Sequence, residues 1–254
     1  MFKHAIVRTP CPEMIHGITS SKLGKPPDYA LALNQHKEYV EALRSLGLEI
    51  TVLEPDSSFP DSTFVEDVAL CTFGLSVVTN PGAASRKGEQ IDMEMVLGSF
   101  YDSIEHIEAP GTLEAGDVMM AGRHFYIGIS DRTNHQGADQ MIHILERYRM
   151  TGEKIEINQL LHLKSGMSYL EDNNLLVQNG SLNHPAFYKF RKIKTGADED
   201  YAANSLWVNG TVLVPAGFPI TRNNIEQAGY PTITLDVSEF EKLDGGLSCL
   251  SLRF

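Results

Sequence analysis

One design recurs along this chain: a polar residue, a short apolar run, a turn signal and a second apolar run. The segments that carry it are FVEDVALCTFGLSVVT, LEAGDVMMAGRHFYIG, LEDNNLLVQNGSL and YAANSLWVNGTVLVP. Their turn signals are Gly74, Gly122, Asn179-Gly180 and Asn209-Gly210. Asn-Gly between apolar runs indicates a tight β-hairpin, because both turn residues must adopt positive φ. The repeat therefore predicts four internal hairpins.

Helical patterns, each followed by a strand-like run, separate these hairpins. The helical patterns lie in residues 28–47, 85–100, 137–149 and 221–229, and the strand-like runs in residues 48–55, 103–110, 153–166 and 230–240. The first pattern places Tyr29, Leu33 and Val40 on one face and ends at Gly47, a residue typical of helix C-termini. The repeating unit is therefore hairpin, helix and strand, which is typical of a propeller or a repeat array.

The two ends of the chain supply one more hairpin. Residues 2–10 and 247–254 both have strand-like patterns, and pairing them would close a ring without exposed sheet edges. We therefore expect an α/β fold in which residues 1–254 form a single five-bladed propeller. Residues 12–27, rich in Gly, Pro and Ser, form the one long loop and are a candidate lid.

The polar residues that begin the units would converge on the ring axis at one end. These positions hold Asp67, Glu114 to Asp117, Asp172 to Asn174, Asn204 and, in the unit that closes the ring, Cys249. His162, at the entry to the third hairpin, would lie near the same end. The double glycine Gly245-Gly246 would let the chain turn tightly towards Cys249 and leave room for a substrate. A thiol, an imidazole and carboxylates together predict a cysteine-nucleophile site.

The clustered carboxylates also indicate the charge of the ligand. Burying several acids together is costly without a positive partner, and a guanidinium offers a planar fork of N–H donors that matches carboxylate oxygens. Attack of a thiolate on the guanidinium carbon would give a covalent thiouronium, which water could hydrolyse to a urea such as citrulline. The formal net charge of −12 disfavours nucleic acid as a partner.

Several classes of protein are disfavoured. Cys11, Cys71 and Cys249 are far apart and odd in number, which argues against a disulfide framework or a cysteine-type zinc site. The histidines lack metal-ligand spacing and no glycine-rich phosphate loop occurs, so a metalloenzyme or a nucleotide enzyme is disfavoured. No apolar run is long enough to span a membrane. The N-terminus lacks a signal-peptide pattern, which predicts a cytoplasmic protein.

Five stretches are specific enough to compare with known families: GITSSKLGKPPDY, FPDSTFVED, GTLEAGD, HLKSG and DGGLSCLSLRF. They resemble the motifs of bacterial dimethylarginine dimethylaminohydrolases, and the resemblance runs from Met1 to Phe254. Pro26-Pro27 stands where the family pattern has a single proline. The resemblance implies the guanidine-modifying pentein fold, five ββαβ units around a pseudo-fivefold axis. It also implies cofactor-free hydrolysis of Nω-methylated L-arginine to citrulline and methylamine or dimethylamine.

The resemblance further implies roles for individual residues. Cys249 would be the nucleophile, His162 the general acid and base, and Glu114 the carboxylate that orients the histidine and contacts the guanidinium. Asp67 would hold the other edge of the guanidinium, with Glu66 as a supporting carboxylate. The other substrate-binding positions would be Asp61 for the α-ammonium group, Arg86 and Arg132 for the carboxylate, Ile18 and Leu243 through their backbones, and Phe64 and Ser248.

Other functions stay open from the sequence. Arginine deiminase shares the nucleophile, but it typically has an aspartate where this chain has Lys164, and it carries an inserted helical region. Agmatine deiminase fits less well, because a decarboxylated substrate would not need the clamp of Arg86 and Arg132. A non-catalytic pentein such as the eukaryotic ribosome anti-association factor, or a purely structural propeller, would not need a thiol, a histidine and a glutamate together. The outward helices could also support a homodimer.

Overall fold

In the computed structural model, which describes residues 1–20, 24–157, 160–179 and 184–254, the strands form five three-stranded sheets. The strands are β1 (His4–Arg8), β2 (Glu49–Leu53), β3 (Ala69–Thr72), β4 (Leu75–Val78), β5 (Ile104–His106), β6 (Val118–Ala121), β7 (His124–Ile129), β8 (Thr151–Glu156), β9 (Met167–Tyr169), β10 (Asn174–Val177), β11 (Arg191–Lys194), β12 (Leu206–Val208), β13 (Thr211–Pro215), β14 (Thr232–Leu235) and β15 (Leu252–Arg253). The α-helices are α1 (Tyr29–Ser45), α2 (Gln90–Leu97), α3 (His135–Arg147), α4 (Leu163–Gly166), α5 (Pro219–Gln227) and α6 (Ser238–Glu241). Short 3-10 helices span Pro12–His16, Val65–Val68, Ala84–Arg86, Ala115–Asp117, Pro185–Phe187, Asp200–Ala203 and Leu247–Leu250.

Each sheet repeats one arrangement, a hairpin followed by a third strand parallel to the second. In one sheet β3 pairs antiparallel with β4, and β4 pairs in parallel with β5 after the chain has passed through α2. The orders β6-β7-β8, β9-β10-β11 and β12-β13-β14 are the same. A parallel pair needs a long crossover, which α2, α3 and α5 provide. The predicted unit of hairpin, helix and strand is confirmed in these three; the described part of the β10–β11 crossover contains only a 3-10 helix.

Three of the predicted hairpin turns form where the turn signals lie. Val208 pairs with Thr211, so Asn209 and Gly210 are the turn residues, with φ of 49° and 95°. Gly74 and Gly122 have φ of 83° and 65° in the β3–β4 and β6–β7 turns. Glycine adopts positive φ at little cost, and asparagine tolerates it.

The third hairpin lies elsewhere than predicted. Tyr169 on β9 pairs with Leu175 on β10, so the turn occupies residues 170–173 and not Asn179-Gly180. Gly180 itself lies outside the described residues. The apolar run 175–177 is the second strand of its unit, whereas the sequence pattern predicts that it is the first. The hairpin of this unit therefore begins closer to His162 in the sequence than predicted.

That shift removes one predicted axial position. Glu171, Asp172 and Asn173 all have positive φ, at 66°, 49° and 63°. Asp and Asn visit this left-handed region more readily than most residues, so the stretch forms a turn without glycine. Asp172 is exposed there, and Asn174 begins β10. The prediction that Asp172 to Asn174 face the axis is wrong.

The chain ends close the ring. β15 pairs antiparallel with β1, Ala5 opposite Arg253 and Ile6 opposite Leu252, and β1 pairs in parallel with β2 after α1. The predicted pairing of the terminal strands is confirmed. Because β1 is the central strand of this sheet, the terminal segments complete the fifth unit.

The first strands of the five sheets, β3, β6, β9, β12 and β15, surround one cavity on the ring axis, here called the axial cavity. Each contributes to its wall, for example through Cys71, Met119, Ser168, Trp207 and Arg253. These strands are therefore the inner strands of the ring. The helical turn that precedes each of them lies at one end of the axis.

The helices pack outside the sheets. Asp28 begins α1 by accepting the N–H of Leu31 at 3.1 Å, which satisfies an otherwise unpaired backbone donor. Tyr39 and Leu43 on α1 are fully buried in a core shared with Leu213 and Leu247. In the described ranges no helix has the length and hydropathy needed to cross a membrane.

Candidate active site

The helical turns before the inner strands bring polar side chains together at one end of the ring. Asp67 lies in the turn before β3, and Glu114 directly precedes the turn before β6. His162 directly precedes α4, and Cys249 lies in the turn before β15. Because the units repeat around one axis, residues far apart in sequence become neighbours.

These four side chains line one cavity, here called the site cavity. Its wall consists of Ile18, Asp61, Phe64, Asp67, Arg86, Glu114, Arg132, Leu161, His162, Leu243, Asp244, Gly245 and Cys249. Every residue that the family resemblance assigns to the site lies on this wall except Glu66 and Ser248. Of the residues expected at this end of the axis from the repeat alone, Asp117, Asp172 and Asn204 do not line it. Leu161 and Asp244 were not candidates, although they adjoin His162 and Leu243 in the sequence.

His162 lies between two carboxylates. Its Nε2 is 2.9 Å from Glu114 Oε2, and its Nδ1 is 3.9 Å from Asp67 Oδ1. Burial by itself lowers the pKa of the imidazole, but the charges of Asp67, Asp117 and Glu114 outweigh burial and raise this pKa to about 9. His162 is therefore an imidazolium at neutral pH, the form that a general acid requires.

Glu114 carries the complementary charge. Burial would raise the pKa of its carboxyl group, but the hydrogen bond and charge of His162, with Arg86 and the Ala83 N–H, lower it to about 2. The Ala83 N–H donates to Oε1 at 2.9 Å, and Arg132 NH1 is 4.0 Å from the same oxygen. Glu114 is therefore an ionised and anchored carboxylate that orients His162.

Cys249 has a buried, protonated sulfur. Burial and the charges of Asp67 and Glu66 raise the pKa of the thiol to about 12, against the opposing effects of the Gly246 N–H and Lys164. The Gly246 N–H donates to Sγ at 3.4 Å. At neutral pH the residue is a thiol, and it needs a positive charge beside it before it becomes a nucleophilic thiolate.

The double glycine before Cys249 allows close packing. The left-handed residue of this segment is Asp244, with φ of 59°, whereas Gly246 is extended. A Cβ on Gly245 would lie 2.1 Å from the Phe64 ring, and one on Gly246 would lie 2.5 Å from the Asn204 carboxamide. The glycines therefore give Phe64 and Asn204 room, and the expected tight turn depends on Asp244.

Arg86 is bound by acids of its own chain. Its NH1 donates to Asp67 at 2.5 Å, and its Nε and NH2 donate to Glu89 at 2.8 and 2.6 Å. NH2 also donates to the Phe64 carbonyl at 3.0 Å. Arg86 thus fixes Asp67, while the Arg132 side chain is more exposed, at 18%. The clamp of both arginines on a substrate carboxylate stays a prediction.

The first part of the predicted lid is closed over the site cavity. Residues 12–16 form a 3-10 helix, and the Ile18 N–H donates to Asp61 Oδ1 at 3.0 Å. The Thr19 hydroxyl donates to the Lys242 carbonyl at 2.7 Å, and the Ser20 N–H donates to Asp244 Oδ2 at 2.5 Å. Residues 21–23 of the predicted lid lie outside the described residues. Asp61, expected to bind the substrate's ammonium group, here binds the lid.

Glu66 and Ser248 face the axial cavity. The Ser248 hydroxyl donates to Glu66 Oε2 at 2.8 Å. Lys164 Nζ and Arg253 NH2 lie 2.7 and 2.9 Å from Glu66 Oε1. Successive residues of a one-turn helix point in different directions, which explains why Glu66 and Asp67 serve different cavities. This geometry does not favour direct contact between a substrate and the side chains of Glu66 and Ser248.

Comparison with known proteins agrees with this geometry. The family model described as N,N dimethylarginine dimethylhydrolase, eukaryotic, matches residues 22–204. A Pseudomonas aeruginosa protein named N(G),N(G)-dimethylarginine dimethylaminohydrolase is 52% identical over 255 residues, covering all of both chains. The chain belongs to the dimethylarginine dimethylaminohydrolase family. A Streptomyces coelicolor protein of the same name is 32% identical over 253 residues, covering 99% of this chain and 96% of the relative. The resemblance seen in the motifs is confirmed.

Solved structures share the fold. The C249S variant of the P. aeruginosa dimethylarginine dimethylaminohydrolase, complexed with citrulline, matches with a TM-score of 0.98 at 51% identity and covers all of both chains. The N-terminal domain of ArgZ matches with a TM-score of 0.88 at 17% identity, covering 98% of this chain and 97% of that domain. The second likeness concerns the fold alone. The predicted five-bladed α/β propeller of the pentein type is confirmed.

A cation could occupy the acid cluster of this family member. Asp67, Glu114 and His162 each offer a ligand atom, and these atoms lie within 4.8 Å of one another. His162 Nε2 already lies 2.9 Å from Glu114 Oε2, and Arg86 already binds one oxygen of Asp67. The cluster therefore suits an organic cation with N–H donors better than a metal ion.

Asp117, expected from the repeat to face the axis, does not line the site cavity and supports the site from behind. It is fully buried, and its Oδ1 accepts the Leu163 N–H at 2.9 Å, while its Oδ2 accepts the Ser130 hydroxyl at 2.7 Å. It therefore anchors the residue next to His162 and adds negative charge beside the imidazolium. The available signal was its place in the motif GTLEAGD, which also contains Glu114.

Proposed function

We propose that this chain hydrolyses Nω-methylated L-arginine to L-citrulline and methylamine or dimethylamine. One observation carries the proposal: Cys249, the imidazolium of His162 and the carboxylates of Asp67 and Glu114 line a single cavity. The citrulline complex of the P. aeruginosa relative supports the same product. The proposed catalytic residues are Cys249, His162 and Glu114.

The substrate binds with its guanidinium among the acids. Asp67 and Glu114 accept its N–H groups, because a carboxylate and a guanidinium match in geometry and charge. Asp61 exchanges the Ile18 N–H for the substrate's ammonium group, and Arg132, with Arg86 behind it, faces the carboxylate. The backbones of Ile18 and Leu243 and the ring of Phe64 complete the pocket.

The bound cation also activates the nucleophile. The carboxylates that raise the pKa of Cys249 are neutralised when a guanidinium lies between them, so the thiol releases its proton and becomes a thiolate. We therefore expect faster alkylation of Cys249 when a small guanidinium compound is bound but leaves the sulfur accessible.

The first half of the reaction transfers the guanidinium carbon to sulfur. The thiolate of Cys249 attacks that carbon and gives a neutral tetrahedral adduct. The imidazolium of His162 donates its proton to the methylated nitrogen, and the carbon–nitrogen bond breaks. The amine leaves, and a cationic thiouronium on Cys249 and a neutral imidazole remain.

The second half returns the enzyme to its first state. The neutral His162 takes a proton from water, and the hydroxide attacks the thiouronium carbon. The carbon–sulfur bond breaks, the hydroxyl proton is lost as the urea forms, and citrulline leaves. His162 is again an imidazolium, held by Glu114, and the sulfur regains a proton. No redox step or added cofactor is needed.

Arginine deiminase is the alternative from the same chemistry. Where that enzyme typically has an aspartate, Lys164 here pairs with Glu66 at 2.7 Å and faces the axial cavity. The site cavity therefore lacks that second acid for an unmethylated nitrogen. A dimethylated nitrogen has no proton to donate, so the methylated substrate fits better.

A citrulline assay with four substrates tests the proposal. We expect kcat/KM for dimethylarginine and monomethylarginine to exceed that for arginine and agmatine by about 100-fold, because the extra N–H groups of arginine would stay unpaired and agmatine would leave the arginine side chains without a carboxylate. Cys249→Ala should abolish turnover, and Cys71→Ala, which alters another buried thiol, should not. A preference for arginine would instead establish the deiminase.

Thiol labelling separates an enzyme from a binding protein. Iodoacetamide should modify Cys249 and remove activity in proportion, and excess methylarginine should protect both. A non-catalytic pentein would give no citrulline from any of the four substrates.

We further propose that the chain works in the cytoplasm as one catalytic domain of residues 1–254, and that a homodimer forms through the outer helices. Sedimentation of the purified chain over a range of concentrations tests the dimer. A single species at the monomer mass throughout would reject it.

A further inference from the structure

Asn204 lies behind the sulfur of Cys249 and contacts both turns that carry the proposed nucleophile and proton donor. It is buried at 6% exposure and follows the helical turn Asp200–Ala203. It is not among the residues that line the site cavity. Any effect of Asn204 on the chemistry must therefore act through its neighbours.

Both ends of its carboxamide are engaged. Oδ1 accepts the Ser248 N–H at 3.0 Å, and Nδ2 donates to the Lys164 carbonyl at 3.2 Å. The orientation of the amide follows from these partners, because a backbone N–H only donates and a carbonyl only accepts. Ser248 adjoins Cys249, and Lys164 belongs to α4, which begins next to His162. One side chain thus joins the two turns.

The same Nδ2 is directed towards the sulfur. It lies 4.0 Å from Cys249 Sγ, on which the Gly246 N–H also donates at 3.4 Å. Near the sulfur, the charges of Asp67 and Glu66 oppose its ionisation, and the charge of Lys164 favours it. An N–H group aimed at a developing thiolate stabilises it more than the thiol. The packing is tight as well, since a Cβ on Gly246 would lie 2.5 Å from Asn204 Cγ.

We propose that Asn204 is a positioning residue for the nucleophile: it holds the Cys249 turn against α4 and directs an N–H group at the sulfur as the thiolate forms. This inference rests on the proposed role of Cys249 as the nucleophile. The inference adds Asn204 as the group that fixes the position of the Cys249 sulfur relative to His162 and that favours the ionisation of the thiol.

Two substitutions separate the two halves of the amide. Asn204→Asp has the same shape and keeps the acceptor for the Ser248 N–H, but it replaces the donor by a charge. Asn204→Leu has a similar volume and loses both. Asn174 offers a matched control, because it is also buried and its Nδ2 donates to Tyr230 OH at 2.7 Å in another part of the ring.

The rate of Cys249 alkylation by iodoacetamide, followed on the Cys249 peptide by mass spectrometry, is the main measurement. At pH 9 we expect Asn204→Leu to react about tenfold more slowly than the parent chain, because a hydrogen bond to the charged sulfur is lost. Asn204→Asp should react more slowly still, and its unchanged shape excludes altered access as the cause. Asn174→Leu and Asn174→Asp should react at the parent rate.

Turnover supplies an independent measurement. With dimethylarginine as substrate, kcat should fall about tenfold in Asn204→Leu, while KM changes less than about twofold because Asn204 does not line the cavity. Parent-like alkylation in both Asn204 variants, with melting temperatures lowered as in the Asn174 variants, would reduce Asn204 to a packing residue. If Asn204→Leu does not fold, the isosteric Asn204→Asp decides. If no methylarginine is hydrolysed, the proposed function fails, yet the alkylation rates still test Asn204.

Discussion

The axial cavity and the site cavity differ in their balance of buried charge. In the axial cavity Glu66 has two cations, Lys164 and Arg253, at 2.7 and 2.9 Å, and Glu171 also lines the wall. The chain itself thus supplies as many cations as acids there. The chain neutralises the buried charge of Glu66 without a ligand, so we expect the loss of Glu66 to lower the stability of the fold.

The site cavity has an excess of acids. Asp61, Asp67, Glu114 and Asp244 line it with three cations, Arg86, Arg132 and His162, and Arg86 also binds Glu89 outside the wall. Acids in excess are costly to bury until a cation completes them. We infer from the comparison that the two cavities, built by the same repeat, differ in role: the ion pairs of the axial cavity stabilise the ring, and the acids of the site cavity favour a cationic ligand.

The comparison predicts first that removing a charge from the site cavity costs activity far more than stability. In Glu114→Gln, His162 loses its orienting carboxylate and the pKa of the imidazole falls, so less of the proton donor is present at neutral pH. Citrulline formation should fall by about 10³-fold. Unfolding should change little, because the imidazole can lose its proton and avoid an unpaired buried charge. Initial rates and urea denaturation at pH 7 measure both effects.

Glu108→Gln is a suitable control for this substitution, since Glu108 is an exposed glutamate of the same segment. It should leave both the rate and the unfolding free energy unchanged. A Glu114→Gln variant that kept most of the parent rate would show that His162 needs no carboxylate. It would contradict the expectation that the charges of the site cavity serve activity.

The axial cavity should give the reverse result. Glu66→Gln leaves Lys164 and Arg253 without their shared carboxylate, and neither side chain readily gives up its proton. We expect the free energy of unfolding to fall by about 3 kcal/mol. The folded fraction should alkylate at Cys249 at least as fast as the parent, because Glu66 is one of the charges that raise the pKa of that thiol.

Urea denaturation and the alkylation rate of the folded fraction check this expectation. The double variant Glu66→Gln with Lys164→Met should recover part of the lost stability, because it removes one of the stranded cations. Unchanged stability in the single variant would mean that the ion pairs of the axial cavity contribute nothing, and that the two cavities do not differ as described.

The sequence could predict those parts of the fold that depend on local signals. Turn chemistry and periodicity are local, so the hairpins at Gly74, Gly122 and Asn209-Gly210 and a closing strand near the C-terminus follow from them. Within the predicted strand of residues 247–254 only Leu252–Arg253 is a strand, and Cys249 lies in the 3-10 helix before it. The third hairpin does not follow from such local signals, because the residues Asp172 and Asn173 adopt left-handed φ without a glycine to announce it. A prediction based on the Asn-Gly signal alone therefore places the hairpin of that unit one strand too late in the sequence.

For the site, the sequence identifies which turns converge but not the direction of each side chain. Glu66 and Asp67 are adjacent, and only the packed ring sends one to the axial cavity and the other to the site cavity. The bonds of Arg86 to Asp67 and Glu89 likewise depend on tertiary packing. Residues that act from behind, such as Asp117, carry no chemical signal of their own in the sequence.

The smallest of the predicted effects concerns Asp117, which adds charge near His162 without lining the site cavity. Asp117→Asn keeps the oxygen that accepts the Leu163 N–H and removes the charge. The pKa of His162, which this charge helps to raise, should then fall. Because His162 must be protonated to release the amine, kcat/KM declines as the pH rises through that pKa. The decline should begin at lower pH in the variant.

At pH 9 we expect kcat/KM for dimethylarginine to fall by about tenfold or less, and at pH 7 the difference should be smaller, since both proteins keep His162 protonated there. Asp139→Asn, which alters an exposed acid on α3, should leave the profile in place. A variant profile that falls equally at every pH would point to a displaced α4 instead of a lost charge. Only a shift of the profile along the pH axis identifies Asp117 as an electrostatic support of the imidazolium. In that case the excess of acids at the site cavity includes a residue that does not line it.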